Sequence, residues 1–556
     1  MTRPMLTHLL LFTAAVVGVR DASGQAPDQR SRRVDSLFSS FGTSSPGCAV
    51  GVVQNGRFLH QRGYGMADLE RRVPITPETV FYTGSVSKQF TAMSVALLAR
   101  DGRISLDDPA RKYLPEIPEA GAGITIRHMV HHLSGLREKW DLLVYSGYRD
   151  GNLVRQDDVL EMVKHQRELN FAPGDDHLYN NTAYDMLATL VERVSGQSIR
   201  EFAKARIFDR LGMERSRYVD DQSVVIPDRA LGYSVRDGEI SQAPAYVETV
   251  GSGSVYSTVP DLARWDESFY TAALGDQELL RLVQTPGRLN DGTELTYAFG
   301  LVVERWRGLR RVQHGGALAG FRAQITRYPD QRFSAIVLCN FAQANPASFA
   351  DRIAEIYLGD QLSPAPVRAA GRAFTDRGLM DRAVGVYRSA RSGNVVQIVA
   401  RDTLLVMQYG PIRLPLAAAG PDRASFGWSG EGSEALFEGE GAKAARVVVR
   451  GIGPRPEPFE RVDPPNRAPA ALAALAGRYR SAELDVEWTV VQRDTALLVR
   501  TSNGDERELV PVHADGFTLE GAAVLVDRDG RGRVRGLLVT PGRSRNIRFE
   551  RVAAGR

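Results

Sequence analysis

Lysine is scarce in this 556-residue chain: 70 residues are basic and only six of them, among them Lys88, are lysines, the rest being arginines. Those arginines are scattered without a dense basic run and the net charge is only +4, which argues against a nucleic-acid partner. Cysteine is rarer still. Cys48 and Cys339 each lie in an apolar, strand-like run, residues 47–53 and 333–340, and read as buried thiols. No Gly-x-x-x-x-Gly-Lys occurs, so a phosphate-cradling loop of that kind is not expected. His128, His131 and His132 cluster, yet Met129 stands where the His-Glu-x-x-His helix of zinc peptidases carries its glutamate. Capping and packing are the expected roles of these histidines, and neither a metal nor a cofactor is expected. Long apolar runs are missing except near the N-terminus, where residues 9–19 follow Arg3 and precede the small residues Ala22-Ser23-Gly24. That run is short for a membrane span. Residues 1–24 read as an export signal cleaved near Gln25, which leaves no transmembrane segment and places the mature protein in a bacterial periplasm or outside the cell.

What is present is three short motifs in chain order: Ser85-Val86-Ser87-Lys88, Tyr179-Asn180-Asn181 and His314-Gly315-Gly316. Residues 78–84 are extended and β-branched while 89–100 carry apolar residues at helical spacing, so Ser85 is expected near the first position of a helix. Unsatisfied N–H groups and the helix dipole favour negative charge there. Lys88, three residues on, shares the face of Ser85 and offers the partner a serine alcohol needs to become nucleophilic at neutral pH.

Tyr179 and Asn181 follow the Pro173-Gly174 turn and are expected on a loop ahead of the helical run 185–194, with helix capping as a second reading of Asn181. To act as a base, the Tyr179 phenol must be drawn from about 10 toward 7, about 4 kcal/mol of differential stabilisation. Lys88 is the cation expected to supply it. Gly315 and Gly316 let a strand edge approach a ligand closely, so the Ala317 N–H pairs with that of Ser85 around an oxyanion while His314 adds a donor or charge. An imidazole titrating near 6.5 would shape the pH profile near neutrality. Each motif alone has a plain reading as a helix cap, a packed loop aromatic or a turn. Their order and contexts point to acyl transfer through a covalent serine intermediate, on a small-molecule or short-peptide substrate.

At these residues the chain resembles the β-lactamase-like serine hydrolases: class C β-lactamases, DD-carboxypeptidases, D-aminopeptidases and related esterases. The resemblance runs over about residues 33–360. It extends to Asp101-Gly102-Arg103-Ile104-Ser105-Leu106-Asp107-Asp108-Pro109, His131-His132-Leu133-Ser134-Gly135-Leu136, Leu211-Gly212-Met213 and Tyr256-Ser257-Thr258-Val259-Pro260-Asp261. It implies an α/β catalytic domain, an antiparallel sheet flanked by helices, over residues 30–362. It implies Ser85 as nucleophile, Lys88 as proton relay, Tyr179 as general base and later acid, and Asn181 as the group orienting Lys88 and a substrate amide. His314 would assist Tyr179, and the amides of Ser85 and Ala317, beside Gly315 and Gly316, would hold the oxyanion and substrate.

Many relatives carry Lys-Thr-Gly or His-Thr-Gly where this chain has His314-Gly315-Gly316, and the missing hydroxyl is one that can hold a substrate carboxylate. This favours a D-aminopeptidase-type or carboxylesterase reading over β-lactamase or DD-carboxypeptidase. The first and last strands of that fold are neighbours, which makes a Cys48–Cys339 bridge conceivable, but adjacent strands seldom offer good disulfide geometry. A reading of another class is an inactive relative that binds cell-wall fragments or a partner protein; the intact motif set argues against it. Nothing in the sequence decides between a monomer and a homo-oligomer.

Past the linker-like residues 363–375 the pattern changes to an internal repeat. Gly385-Val386-Tyr387-Arg388-Ser389 returns as Gly477-Arg478-Tyr479-Arg480-Ser481, and Phe459-Glu460-Arg461-Val462 returns as Phe549-Glu550-Arg551-Val552. Short β-rich runs alternate with Gly, Asp and Asn turns in both copies, predicting two small antiparallel β-barrels over 376–463 and 468–556. Paired C-terminal barrels also follow the catalytic domain in the D-aminopeptidases that the chain resembles. The barrels serve either as packed spacers or, through a loop of one of them, to narrow the active-site mouth.

Overall fold

The computed structural model describes residues 28–149, 151–364, 377–410, 412–427, 432–501 and 503–553. The expected export signal and most of the expected linker lie outside the described residues. Strand β1 (Cys48–Gln54) is buried on both faces, as its unbroken apolar run requires, and pairs antiparallel with β2 (Arg57–Tyr64). With β3 (Val302–Trp306), β4 (Leu309–Leu318), β5 (Phe321–Tyr328) and β6 (Phe333–Cys339) they form a six-stranded antiparallel sheet in the order β3-β4-β5-β6-β1-β2.

Helices cover both faces. On one, Val50 and Val52 of β1 and Ala335 and Val337 of β6 pack with Val34 of α1 (Gln29–Leu37) and Ile353 of α5 (Pro346–Leu358). On the other, Ala49, Val53 and Ile336 join the larger core of α2 (Lys88–Arg100), α3 (Asn181–Ser195) and α4 (Val259–Thr271). From Lys88 to Leu98 every residue of α2 is buried, so this helix is central to the fold.

The expectation of two free thiols is corrected: Cys48 and Cys339 are joined in a disulfide. They stand directly opposite one another in the β1–β6 register, and Asn340 donates its amide to the Gly47 carbonyl in the flanking pair. The cysteines therefore occupy a non-hydrogen-bonded antiparallel pair, where opposed side chains come closest.

Both copies of the repeat form β-structure. Eight strands, from Gly385–Arg388 to Glu457–Arg461, close into a barrel. Nine strands, from Gly477–Ser481 to Ile547–Arg551, make a sheet whose edge strands, Glu506–Glu508 and Val510–His513, are consecutive in the chain, so it curls nearly shut into a second barrel. The repeated residues explain themselves. Tyr387 and Tyr479 are buried, each donates its hydroxyl to the carbonyl four residues earlier (Ala383 and Leu475) at 2.7 Å, and the repeated Arg461 and Arg551 stack over their rings. The second barrel docks on the catalytic domain. Leu142 and Tyr145 enter its core beside Trp488 and Leu519, and Arg455 of the first barrel pairs with Asp291 at 2.7 Å. Among the described residues no helix is long and apolar enough to cross a membrane.

Candidate active site

Ser85 sits in a 3₁₀ turn, Gly84–Ser87, and the α-helix begins only at Lys88. The expected first helical position is thus one short turn early. The turn is tied down by Thr83 Oγ1 donating to the Val255 carbonyl at 2.8 Å and by Ser87 Oγ, which donates to the Gly84 carbonyl and accepts from the Val255 amide. Gly84 has φ +57°, and a Cβ on it would lie 2.6 Å from the Ala317 nitrogen. A Cβ on Gly316 would lie 1.9 Å from the Thr83 carbonyl oxygen and 3.0 Å from the Ser85 nitrogen. Two glycines therefore permit backbone-to-backbone approach of the nucleophile turn and β4, and no side chain fits at 316. Pairing of β3 ends at Val302 opposite Gln313, so β4 from His314 onward is uncovered on that side, facing Ser85. This brings the Ser85 and Ala317 amides together at one edge.

Lys88 is completely buried. Its Nζ lies 3.2 Å from Ser85 Oγ, 2.7 Å from Asn181 Oδ1 and 2.7 Å from the Ser252 carbonyl oxygen. Burial holds the amine's pKa well below its ordinary value, against the raising influence of the Asp185 and Glu138 charges. The geometry suits the neutral amine. Asn181 Oδ1 and a peptide carbonyl only accept, so they take the two N–H bonds of an NH₂ group and leave its lone pair for the Ser85 hydroxyl.

Asn181 is the first residue of α3 rather than a loop residue, and Asn180 is the cap, its Oδ1 accepting from the Ala183 amide at 2.7 Å. The carboxylate of Glu138 accepts from the Asn181 backbone amide at 2.6 Å and from Asn181 Nδ2 at 2.8 Å, which forces Oδ1 toward Lys88. Behind it, Lys139 and Asp185 form an ion pair with both side chains at most 1 % exposed; Asp185 accepts the Ser252 amide at 2.9 Å and Lys139 reaches Thr249 at 2.6 Å, fixing the loop that presents the Ser252 carbonyl. Sequence reasoning missed Glu138, Lys139, Asp185 and Ser252. The one signal available was the charged triplet Arg137-Glu138-Lys139 directly after an apolar segment.

Glu138→Gln removes a charge that holds the Lys88 pKa up. The acid limb of kcat/KM is therefore expected to move to lower pH, while the plateau falls about tenfold as the Asn181 amide loses its fixed orientation. A pH–rate profile in which the limb stays or moves upward contradicts this assignment.

Tyr179 departs from the sequence expectation. Lys88 Nζ lies 4.8 Å from its ring centroid, but the phenol's pKa is raised by burial; the Ser85 hydroxyl and the Arg543 charge pull it down without offsetting that. A lysine that is itself pushed toward neutrality cannot provide the expected lowering, so Tyr179 is a protonated phenol at neutral pH. Its hydroxyl is buried near Ser85 but makes no hydrogen bond of standard geometry among the described residues.

His314 is also corrected. Its Nδ1 donates to the Gly315 carbonyl at 2.6 Å, and its Nε2 accepts from the Tyr297 hydroxyl at 3.1 Å, not from Tyr179, whose ring centroid is 6.1 Å away. Burial pushes its pKa down to about 4, so it is neutral and gives no inflection near 6.5. Tyr297, which no motif singled out, links this imidazole to the ring of His132.

The other histidines are framework. His128 and Thr125 form a reciprocal helix cap, His131 Nδ1 bonds the Tyr297 carbonyl at 3.1 Å, and His132 Nδ1 accepts the Asn180 amide at 3.1 Å. No group of three or more metal-ligating side chains occurs among the described residues.

His131, His177 and His314 are each pushed down to about 4 by burial, against 6.5 for a free imidazole. Between those values the unfolded chain binds more protons than the folded one. The stability present above pH 6.5 is therefore lost progressively as the pH falls through this window toward 4. Asp141, raised to about 6, acts oppositely between 6 and its ordinary value, as do Asp261 and Glu483, whose pKa values burial also raises; His60, His128, His132 and His513, lowered by burial, add to the loss. Urea midpoints are expected to fall from pH 7 to pH 4; a constant midpoint overturns the assignment of buried neutral imidazoles.

One barrel does reach the site. The segment 541–546 of the second barrel lies against the catalytic domain. The Arg543 amide donates to Asp141 at 2.7 Å, its carbonyl accepts from Asn170 Nδ2 at 3.0 Å, and Ser544 Oγ accepts the Glu138 amide at 3.0 Å. Arg545 donates its amide to Asn170 at 2.8 Å and its guanidinium to Asp176 at 3.0 Å. The Arg543 guanidinium carbon stands 5.0 Å from the Tyr179 ring centroid. The spacer reading is thereby set aside for this barrel. A separate cavity of about 270 Å³, lined by Gln156, Thr189, Glu192, Asp220 and Glu248 among others, shares no residue with the Ser85 site.

Comparison with known proteins agrees with this geometry. Over 473 residues the chain is 28% identical to a D-aminopeptidase of Cereibacter sphaeroides, covering 84% of this chain and 85% of the relative. It is 27% identical over 532 residues to a D-aminopeptidase of Brucella melitensis, 91% and 96% of the two chains. The fold matches the octameric penicillin-binding protein homologue from Pyrococcus abyssi with a TM-score of 0.55 at 22% identity, covering 77% of this chain and 99% of that one. Residues 34–359, more than half of the chain, match the Beta-lactamase family, and with the Ser85–Lys88 pair, the Asn181 contact and the β4 edge all inside that span, the chain belongs to this family.

Proposed function

We propose that this chain is a serine hydrolase of D-aminopeptidase type, cleaving an amide or ester through an acyl-enzyme on Ser85. The observation that carries the reading is Lys88: a buried amine whose pKa is depressed, held by two obligate acceptors with its remaining valence on Ser85 Oγ. The substrate relation is supported by the D-aminopeptidases of Cereibacter sphaeroides and Brucella melitensis, which align with this chain across catalytic domain and barrels.

In this reading Lys88 accepts the Ser85 proton as Oγ attacks the scissile carbonyl carbon. The ammonium so formed keeps all three contacts, with Ser85 Oγ, Asn181 Oδ1 and the Ser252 carbonyl, and its charge is stabilised as it develops. The carbonyl oxygen becomes an oxyanion held by the Ser85 and Ala317 amides; one such donor is worth about 3 kcal/mol in the transition state. Tyr179, a protonated phenol, donates to the leaving amine and is replenished from the Lys88 ammonium. The tetrahedral intermediate expels the amine and leaves the Ser85 ester. Water then attacks the ester carbonyl as Lys88 takes its proton, the bond to Ser85 Oγ breaks, that oxygen takes the proton back from the Lys88 ammonium, and the acid is released. Lys88 thus takes the role of base that the sequence placed on Tyr179, and Tyr179 keeps the role of acid. Work outside the cytoplasm belongs to the same proposal, supported by the apolar residues 9–19 and by the Cys48–Cys339 disulfide.

The test is a turnover screen of purified protein with D- and L-alanine p-nitroanilide, p-nitrophenyl butyrate and nitrocefin, beside labelling by a fluorophosphonate. Preference for the D-anilide with label on Ser85 is expected. Absence of label in folded protein sinks the hydrolase reading; nitrocefin as the preferred substrate sinks the aminopeptidase one.

A further inference from the structure

The mouth of the site carries a cation without an ion-pair partner among the described residues, the Asp141 carboxylate feeling its charge without meeting its side chain. Arg543 is exposed, and among the described residues its guanidinium makes no hydrogen bond or ion pair, whereas its neighbours are engaged: Arg545 with Asp176, Arg548 with Asp527, and Arg137 with Glu483. Its backbone is held on both sides, by Asp141 and by Asn170, so the side chain is presented from an anchored segment. Two carboxylates held against the same segment are already committed. Glu138 holds Asn181, and Asp141 accepts the amide of Arg543, not its side chain. The opposing edge, Gly315, Gly316 and Ala317, offers neither a hydroxyl nor a charge. An unpaired guanidinium 5.0 Å from the ring of the tyrosine that faces Ser85 leaves the site with a positive field and a planar, two-pronged donor within about one residue's reach of the scissile bond.

We propose that Arg543, contributed by the second barrel, binds a carboxylate carried by the leaving group of the substrate, such as the free C-terminus of a dipeptide. The inference rests on the hydrolase reading above and narrows its substrate class. Leaving-group placement follows from Tyr179: the residue on which Arg543 stacks is the one that protonates the departing amine. The barrel is then part of substrate recognition, and the carboxylate pocket exists only when the two domains are docked.

The experiment compares full-length wild type, Arg543→Gln and Arg543→Lys on two matched substrates, D-alanylglycine and D-alanylglycinamide, which differ only in that carboxylate. Wild type is expected to favour the acid. In Arg543→Gln the ratio of kcat/KM, acid over amide, should fall about tenfold or more, the worth of one charge-assisted hydrogen bond, mainly through KM for the acid. Arg543→Lys should restore part of the ratio, which a purely structural role of the side chain would not produce. Melting temperatures show whether each variant is folded.

A ratio in Arg543→Gln within about twofold of wild type overturns the proposal. A matched ester pair, p-nitrophenyl hemisuccinate and p-nitrophenyl butyrate, overturns the leaving-group placement if the Arg543-dependent ratio appears there instead, on the acyl side. A wild-type protein that takes the fluorophosphonate on Ser85 yet hydrolyses neither dipeptide overturns this inference alone. One that takes no label overturns the hydrolase reading with it.

Discussion

Ser85→Ala is expected to abolish covalent labelling by a fluorophosphonate and to cut turnover by roughly 10⁴-fold or more, because the atom that carries the acyl group is gone. The fold should not notice. Ser85 Oγ bonds Lys88 and lies near the Tyr179 hydroxyl, neither of which holds the turn; the turn itself is held by Thr83, Ser87 and the Val255 backbone. Thermal unfolding within about 1 kcal/mol of wild type is the expected control. Retained turnover above a few per cent in a protein with the wild-type melting temperature means the nucleophile lies elsewhere. Residual hydrolysis at a lower level has a physical source: the Ser85 and Ala317 amides persist in the variant and still stabilise an oxyanion formed by water.

Lys88→Met should cost about 10³-fold or more in kcat/KM, since it removes the base while keeping the length and burial of the side chain. Methionine leaves Asn181 Oδ1 and the Ser252 carbonyl without a donor, a stability loss of about 1–3 kcal/mol that a domain of this size tolerates. The sharper readout is the pH profile. On the proposed mechanism the active form in wild type is the neutral amine, so kcat/KM is expected to rise with pH through the depressed Lys88 pKa and to be lost below it. In Lys88→Met that acid limb disappears. If it persists, the titrating base is another group; Tyr179, with its pKa raised, would place its own limb far into alkali and is distinguished by that. The variant also separates two accounts of Asn181, because a substrate-binding role survives loss of Lys88 and an orienting role does not.

Much of the site was legible before the fold. Ser85 and Lys88 at i, i+3 meet whether the segment is 3₁₀ or α, so an error of one turn in the helix start did not matter. Of the two glycines read as permitting a close backbone approach, Gly316 is the one where nothing larger fits, and Gly84 is its partner across the gap. The repeat around Tyr387 and Tyr479 declared two equivalent β-units, since each copy needs the same buried tyrosine and the same covering arginine. Ionisation, by contrast, was not legible. A pKa is set by burial and by charges far off in the chain, and no motif carries that information. The proposed mechanism therefore moves the role of base from Tyr179 to Lys88, and burial lowers the His314 pKa away from neutrality. Glu138, Asp185, Ser252, Tyr297 and Arg543 escaped notice for a related reason. Each acts through one contact made across many residues, without a local pattern.

Local sequence by itself determined the elements and the chemistry on offer: apolar runs that must be buried on both faces, turn glycines, and a serine, a lysine and a tyrosine in a recognisable order. These follow from short-range sterics and periodicity. Tertiary structure alone decided that the two cysteines bond, that the Lys88 amine is buried, which way the Asn181 amide points, and that Arg543 of the second barrel reaches the Tyr179 ring. Such outcomes are set by burial and by the register of distant segments, and both come into being only when the chain has closed on itself.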